Sequence, residues 1–402
     1  MYHRFQMNVY AEGKYQVVQA WSGKVKTINS KDFVETFGTG RYFPPEGATL
    51  FQGTGSDVKW FIGGAKNAKP GHWNASNNLI QVKLKPVDKD YSLEGFKLFN
   101  HSVSRTSEFP SMAFAPGITV ESSEERPLGF TLNGKNMSCP GRELFLSNEI
   151  RIIETASPTT FRNRIIRVPA RAETIQPGFT SEILQSGDIP PPMYGSSLTS
   201  LSNNGLSGRA VLVGGAFLRN SEKSITQLMF EHVLSSQEKT WAEESSGGVW
   251  TLDWCMDPLK FHWTRVLEIE PRTFHSSVLL GNSLLVFGGT NILTGERLQL
   301  LPVNINTSTW ELHPLQSVEF PGEVVTTAHS MIKISPNSCI GIGGYQKSSS
   351  QPEETAVDSM FECQFHLSEE GIVDQLVSFM SRALNSGLSH TTLSWTLHQT
   401  IV

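Results

Sequence analysis

Short β-rich runs of apolar residues, each followed by two glycines, recur along the chain and dominate its pattern of hydrophobic and polar positions. Four such runs occur, at 60–64 (WFIGG), 211–215 (VLVGG), 285–289 (LVFGG) and 340–344 (IGIGG). The second glycines of successive copies are 151, 74 and 55 residues apart. The last spacing is close to the roughly 50-residue Kelch repeat, and the first is about three times as long. The pattern therefore predicts a repeat protein built from strands.

The third copy contains a complete repeat. A predicted strand at 274–280 leads through a turn at 281–282 into a continuous apolar strand at 283–287. Such a run is typical of a strand that is buried on both faces. Gly288 and Gly289 end this strand, and we expect a positive φ there, or a close approach that a Cβ would block.

An outer hairpin follows in the same repeat. The runs 301–305 and 309–312 predict its two strands, and Trp310 is expected to cover the gap to the neighbouring repeat. A second hairpin of this kind is predicted at 250–254 and 261–266. Repeats with strands at this spacing indicate an all-β fold, a Kelch-type β-propeller of six blades.

The whole chain, 1–402, is predicted to be a single propeller domain. Residues 101–186 are irregular, and they predict either one or two divergent blades or an insertion between blades. Residues 389–402 resemble the start of a further blade. Either the strands predicted at 15–18 and 24–28 complete that blade, or the ring is left partly open. The paired glycines are interpreted as structural blade residues without chemistry: Gly63, Gly64, Gly214, Gly215, Gly288, Gly289, Gly343 and Gly344.

Composition and charge narrow the function classes. With 38% hydrophobic and 18% charged residues, the chain is typical of folded globular proteins. It has no run of 18 apolar residues and no apolar region of a secretory signal at its start, so we expect no membrane partner. The net charge of −5 means that any contact with nucleic acid must come from a local basic patch.

Motifs for catalysis or metal binding are missing from the sequence. It contains no HExxH pattern, no GxSxG elbow and no phosphate loop, so we expect a non-enzyme without a cofactor. Cysteines 139, 255, 339 and 363 lie far apart, which fits reduced thiols better than a zinc site or a disulfide framework. A propeller oxidase of the galactose-oxidase type would need a Tyr–Cys cross-link and copper-binding histidines, which the scattered Tyr and Cys do not favour.

Two basic groups are candidates for contacts with DNA phosphates. The first lies in the irregular region and consists of Arg162, Arg164, Arg167 and Arg171. The second surrounds the first Gly-Gly pair and consists of Lys59, Lys66, Lys69, Lys83, Lys85 and Lys89. The alternative for both groups is an ordinary solvated face balanced by nearby acids. This alternative is stronger for the lysines, which neighbour Asp88 and Asp90.

Several segments resemble the propeller subunit of the recombination-activating gene recombinases, whose relatives also occur in transposons. They are 187–197 (GDIPPPMYGSS), 340–346 (IGIGGYQ), and a series of Pro44-Pro45, Ala48-Thr49 and 60–66 (WFIGGAK). The resemblance is best over 187–366 and fair over 41–100, and it fails over 101–186.

This resemblance implies a nuclear, non-catalytic accessory subunit. It would stabilise a catalytic type 1 recombinase or transposase subunit, which holds the metal site, and assist binding of DNA signal sequences or terminal inverted repeats. Vertebrate members also carry an acidic hinge and a C-terminal zinc finger that reads a methylated histone tail. The cysteines here do not suit such a finger, so we expect a transposon-type relative without histone-tail reading. The alternative function is a Kelch adaptor, for example one that presents substrates to a ubiquitin ligase, although the usual BTB-type helical domain is not predicted.

Overall fold

The computed structural model describes a chain made of β-strands, which confirms the predicted all-β class. The described strands lie between Gln6 and Ala383. Side chains are described at residue 50 and over 185–191, 193–204, 207–217, 244–255, 260–316, 327–341 and 361–379. Within the described residues there is no helix. Accordingly, none of them belongs to a helix long and apolar enough to span a membrane.

Most described strands belong to five large sheets, numbered here in chain order and listed by neighbouring strands. Sheet 1 contains β4 (Thr49–Gln52), β5 (Val58–Ile62), β8 (Leu79–Val87), β9 (Asp90–Phe99) and β3 (Val25–Ile28). Sheet 2 contains β11 (Gly117–Val120), β12 (Leu128–Leu132), β15 (Glu149–Ser157), β16 (Thr160–Arg167), β2 (Tyr15–Ser22) and β1 (Gln6–Val9). In both sheets every pair of neighbouring strands is antiparallel.

The other three sheets have the same antiparallel core of four strands. Sheet 3 contains β18 (Ser197–Asn203), β19 (Ser207–Val213), β22 (Gly248–Met256), β23 (Leu259–Glu268) and β17 (Leu184–Gly187). Sheet 4 contains β24 (Ser276–Leu280), β25 (Ser283–Phe287), β28 (Val303–Asn306) and β29 (Glu311–Leu312). Sheet 5 contains β32 (Ser330–Ser335), β33 (Ser338–Ile342), β36 (Ser359–Leu367), β37 (Val373–Ala383) and β30 (Gln316–Ser317). The added strands β17 and β30 run parallel to their neighbours β23 and β37.

Along the chain, a small ribbon of short strands follows the second strand of each large sheet, as the strands are listed above, and precedes the third. They are β6 (Ala65–Lys69) with β7 (His72–Ala75), β13 (Lys135–Asn136) with β14 (Phe145–Leu146), β20 (Ala216–Leu218) with β21 (Glu243–Ser245), β26 (Thr290–Asn291) with β27 (Glu296–Arg297), and β34 (Tyr345–Ser348) with β35 (Gln351–Ala356). Two of them gain a third strand, β10 (Met112–Ala113) beside β13 and β31 (Val325–Thr327) beside β34.

The predicted glycine pairs lie where the second strand of a sheet gives way to its ribbon. Gly214 and Gly215 have φ values of +53° and +110°, and Gly288 and Gly289 have +58° and +99°. The predicted need for positive φ is therefore met at both pairs, because side chains rarely adopt this region. The other two pairs, at 63–64 and 343–344, lie outside the described residues, but the strands on either side end and begin at the matching positions.

The first strands of consecutive sheets contact one another, from β4 to β11, β18, β24 and β32. The core lies between the sheets. In β25, Leu284 and Val286 pack in a cluster with sheet 3 residues, whereas Leu285 and Phe287 pack in a cluster with sheet 5 residues. The prediction that this strand is buried on both faces is confirmed. Trp310 packs against the first of these clusters, between sheets 3 and 4.

The strand pairing bears on two points of chain organisation that the sequence left open. Within the irregular region 101–186, strands β11, β12, β15 and β16 form one antiparallel meander, the core of sheet 2. The two N-terminal segments do not complete a C-terminal blade, because β2 pairs with β16 and β3 pairs with β9. Pairing with these outer strands satisfies backbone groups that would otherwise be left at a sheet edge. Residues 389–402 lie outside the described residues.

Candidate functional site

A residue with left-handed backbone precedes the first strand of sheets 3, 4 and 5. These residues are Gly195, Phe274 and Ala328, with φ values of +66°, +57° and +57°. The backbone links them in series: the N–H of Phe274 donates to the carbonyl of Gly195 at 2.8 Å, and the N–H of Ala328 donates to the carbonyl of Phe274 at 2.7 Å. Left-handed backbone costs a side-chain-bearing residue about 1 kcal/mol. Phe274 and Ala328 both bear this cost, which indicates that the connection between consecutive sheets is constrained.

The glycine pairs take part in the same connection. Tyr194 forms an antiparallel bridge with Ala216, and Thr273 forms one with Thr290. In each bridge, the residue before the left-handed residue meets the first residue after a glycine pair. Thr327 and Tyr345 pair in the same way in sheet 5. Three consecutive sheets thus share one backbone arrangement where the first strand begins.

A chain of hydroxyl groups joins the first strands of sheets 3 and 4 and ends on an imidazole. Ser277 Oγ donates to Ser197 Oγ at 2.8 Å. Ser197 Oγ lies 3.0 Å from His275 Nε2, and Thr199 Oγ1 lies 2.6 Å from Ser277 Oγ. Because the Ser277 proton is used toward Ser197, Thr199 donates to Ser277. The direction of the Ser197–His275 hydrogen bond follows from the tautomer of the ring, since Ser197 Oγ can either donate or accept there.

The surroundings of His275 favour a neutral ring. Burial lowers the pKa of His275 well below its ordinary value, and the nearby Arg272 and His329 lower it further. Arg272 is itself 2% exposed, and its Nη1 and Nε atoms donate to the carbonyls of Gly288 and Glu270. Burial lowers the pKa of Arg272 to about 10, so the guanidinium stays charged at neutral pH.

The Ser197–His275 distance is that of a nucleophile and its base, but the surroundings do not suit catalysis. The His275 side chain is 5% exposed, which leaves no room for a substrate at the ring. Among the described residues, the other ring nitrogen, Nδ1, has no hydrogen-bond partner, so no carboxylate orients the ring. We interpret the pair as a structural link between two sheets.

The matching link between sheets 4 and 5 is not formed. Ser276 and His329 occupy the positions that correspond to Ser197 and His275 in the repeat. Among the described residues, neither Ser276 Oγ nor either ring nitrogen of His329 has a hydrogen-bond partner. The His329 ring instead lies 5.8 Å from the ring of Phe361. Burial lowers the pKa of His329 to about 3, so this ring is also neutral.

The predicted arginine group lies mainly on β16, in the interior of sheet 2 between β15 and β2. The register places Glu154 opposite Arg162 and Glu149 opposite Arg167. Arg164 is opposite Ile152, and Arg171 lies outside the described residues. Of the predicted lysine group, Lys59 lies in β5, Lys66 and Lys69 in β6, and Lys83 and Lys85 in β8, while Lys89 lies outside the described residues.

Two arginines on the inner strands of sheet 3 form exposed ion pairs that the sequence analysis did not predict. Arg209 binds Asp253 through two hydrogen bonds of 2.6 and 3.0 Å, and this contact raises the pKa of Arg209. The guanidinium of Arg265 lies 5.8 Å from the centre of the Trp250 ring and also pairs with Glu268. These are exposed contacts, each contributing at most about 1 kcal/mol.

No protein-family model matches the chain, and a search of the curated proteins finds no significant match.

A candidate metal centre was also sought among the described side chains. Within that part of the molecule, no three His, Cys, Asp or Glu side chains form a group that could hold a metal ion. Cys255, Cys339 and Cys363 are not joined in a disulfide, and Cys139 lies outside the described residues.

The purified chain should therefore contain no stoichiometric zinc, because its cysteines lack the spacing that zinc sites use. Elemental analysis of protein prepared without chelator is the measurement, with binding of a methylated histone-tail peptide tested on the same sample. One zinc ion per chain that survives dialysis would contradict the prediction. In that case, zinc analysis of a Cys255→Ser variant and of a Cys139→Ser variant would show whether either cysteine holds the ion.

Proposed function

We propose that the chain is a Kelch-type β-propeller formed by a single domain over 1–402. The five described sheets would be consecutive blades, with sheet 2 as a divergent blade and a sixth blade beginning in 389–402. Support comes from the four-stranded antiparallel core of each sheet and from the contacts between successive first strands. The shared backbone connection at residues 195, 274 and 328 adds to this support, because related blades should begin alike.

We further propose that this propeller is a non-catalytic accessory subunit of a nuclear DNA recombinase or transposase. It would bind and stabilise a catalytic subunit of the recombination-activating type 1 class and assist its engagement of DNA. The observation that carries this proposal is the segment 187–197, which resembles that family and connects the outer strand β17 to the first strand β18 of sheet 3.

Several residues of this segment make contacts, or adopt a backbone conformation, that depend on their residue type. Gly187 has a φ of +79°, and a Cβ there would lie 2.0 Å from the carbonyl of Trp263. The carboxylate of Asp188 accepts the N–H of Arg265 at 3.1 Å, and Tyr194 is 1% exposed. A sequence that repeats these residue types would therefore repeat this crossing between strands. In the second resembling segment, Tyr345 pairs with Thr327 directly after a glycine pair.

Co-purification tests the proposed partner. The full chain would be co-expressed with a candidate catalytic transposase subunit, and separately with a ubiquitin-ligase scaffold, and each mixture analysed by size-exclusion chromatography. We expect a stable complex with the transposase subunit alone, and none when an unrelated Kelch propeller replaces this chain. A complex with the ligase scaffold alone would favour the adaptor function instead. Retention of neither protein would contradict both functions.

Weak, salt-sensitive DNA binding is expected for the isolated chain, with tighter binding once the catalytic subunit is present. The Arg164→Glu/Arg167→Glu double variant should reduce binding about equally for specific and random DNA. It should also reduce the slope of log affinity against log salt by roughly one to two. The reason is that phosphate contacts release counterions without reading sequence. Fluorescence anisotropy over a salt series gives both quantities.

A matched control is Lys260→Glu, which reverses an exposed charge on sheet 3 and should leave the salt slope unchanged. Thermal stability must be measured on the same proteins, since Glu149 lies opposite Arg167 in the register. If the double variant loses stability while its salt slope equals that of the wild type, the arginines are structural and do not contact DNA.

A further inference from the structure

Two of the cysteines face each other in the interior of sheet 5. Cys339 lies in β33 and Cys363 lies in β36, and the two are direct partners in the antiparallel register. Both side chains are 0% exposed. They belong to the apolar cluster between sheets 4 and 5, which also contains Phe361 and Phe365 on the same face of β36.

Their geometry is close to that of a disulfide. Directly opposite residues of an antiparallel pair have Cα atoms about 4.5–5.5 Å apart and Cβ atoms a similar distance apart. Disulfides occur at Cα separations of about 4.4–6.8 Å and Cβ separations of about 3.5–4.5 Å. A pair at these typical separations suits a bond at its Cα atoms, and closing the bond takes a movement of about 1 Å at the Cβ atoms. The pKa of Cys339 also responds to Cys363, so the two thiols lie close enough to interact.

The third described cysteine lies in β22 of sheet 3, away from this pair. Cys255 lies opposite Ser207 on one side and Lys260 on the other, and it is partly exposed. Burial and the neighbouring thiol raise the pKa of Cys339, so its resting form is the neutral thiol. Thiolates are the reactive form, and reaction at this buried pair therefore requires sheet 5 to open locally.

We propose that Cys339 and Cys363 form a reversible dithiol–disulfide pair that cross-links β33 to β36 when a small-molecule disulfide such as oxidised glutathione is present. On local opening, one of the two thiols loses its proton and attacks a sulfur of the oxidant. This forms a mixed disulfide and releases one small thiol. The second cysteine then attacks the protein sulfur of that mixed disulfide and releases the second small thiol. The two cysteines are oxidised, the small disulfide is reduced to two thiols, and both protons remain on those thiols.

The cross-link would close the loop from 339 to 363, which contains the ribbon β34–β35. Constraining this loop removes conformations from the unfolded chain, so the oxidised protein should be more stable than the reduced one. Reduction would restore the original stability. The pair thus couples the stability of sheet 5 to the thiol–disulfide balance of its surroundings.

The test is native oxidation of the full chain in glutathione buffers of increasing disulfide fraction, followed by alkylation, protease digestion and mass spectrometry. We expect one dominant cross-linked peptide pair containing Cys339 and Cys363, lighter than the reduced pair by two hydrogen atoms. We also expect a higher melting temperature, and both changes should disappear after dithiothreitol treatment. The same oxidation in urea is the reference, where four cysteines allow six pairings.

Variants separate the cross-link from other effects of oxidation. Cys255→Ser should keep both the cross-link and the rise in melting temperature. Cys363→Ser should lose both, and if that variant folds poorly, Cys363→Ala provides the same comparison with an apolar side chain. The proposal is wrong if native oxidation gives the same mixture of pairings as oxidation in urea. It is also wrong if oxidation leaves Cys339 and Cys363 alkylatable while modifying Cys255.

Discussion

Replacing Gly289 with alanine should lower the free energy of unfolding by about 3 kcal/mol. Gly289 has a φ of +99°, which lies outside the small left-handed region that side-chain-bearing residues can adopt. A Cβ at this position would also lie 2.8 Å from the carbonyl of Thr273 and 2.9 Å from the Cβ of His275. The clash is with backbone and a buried residue, so it cannot be relieved by turning a flexible side chain. Urea denaturation followed by fluorescence and circular dichroism measures the loss.

Gly295→Ala, in the turn between β26 and β27, is the matched control from the same repeat. Gly295 also has a positive φ, +69°, but no atom outside its immediate chain neighbours would lie within 4 Å of a Cβ there. Its substitution should therefore cost only about 1 kcal/mol, the price of left-handed backbone alone. Equal losses in the two variants would mean that Gly289 is required only for its φ. A loss at Gly289 below that of Gly295 would show that the backbone connection is not constrained.

The glycine pairs explain which strands could be predicted from the sequence and which sheet could not. Strand β25 and its hairpin partner β24 were predictable, because a continuous apolar run followed by Gly288 and Gly289 has few other interpretations. For sheet 2 the sequence left a divergent blade and an insertion both open, because the residues between β12 and β13 are Asn133 and Gly134, not two glycines. Asn is the other residue type that adopts positive φ most readily, so a strict search for Gly-Gly passes over such a copy.

The links between sheets were beyond prediction for a different reason. The left-handed backbone of Phe274 and Ala328 has no signature in the sequence, since neither residue type favours that conformation. The hydroxyl chain from Thr199 to His275 depends on contacts between strands that are 78 residues apart. Ser and Thr are too common for such a pairing to stand out. Only the assembled sheets bring these side chains together.

His329 makes the protein sensitive to acid, and its replacement with leucine should reduce that sensitivity. Burial lowers the pKa of His329 to about 3 in the folded protein, whereas the unfolded chain has the ordinary value of about 6.5. Because the folded state resists protonation, the stability is complete above pH 6.5 and is lost as the pH falls toward 3. At pH 5 this one residue should account for a loss of about 2 kcal/mol.

Urea denaturation at pH 7 and pH 5 gives the change in the free energy of unfolding between the two pH values, for the wild type and for His329→Leu. Subtracting one change from the other cancels the contribution of the carboxylates, which both proteins share. The variant should lose about 2 kcal/mol less than the wild type over this interval. His275 is still present in the variant and its pKa is also lowered, so part of the acid sensitivity remains. At pH 7 the variant should be no less stable than the wild type, because the ring nitrogens of His329 have no hydrogen-bond partner among the described residues.

His262→Gln, a change at an exposed histidine on sheet 3, should keep the full acid sensitivity. If His329→Leu loses as much stability between pH 7 and pH 5 as the wild type does, His329 is protonated in the folded protein at pH 5. The burial of His329 is then not the cause of the acid sensitivity.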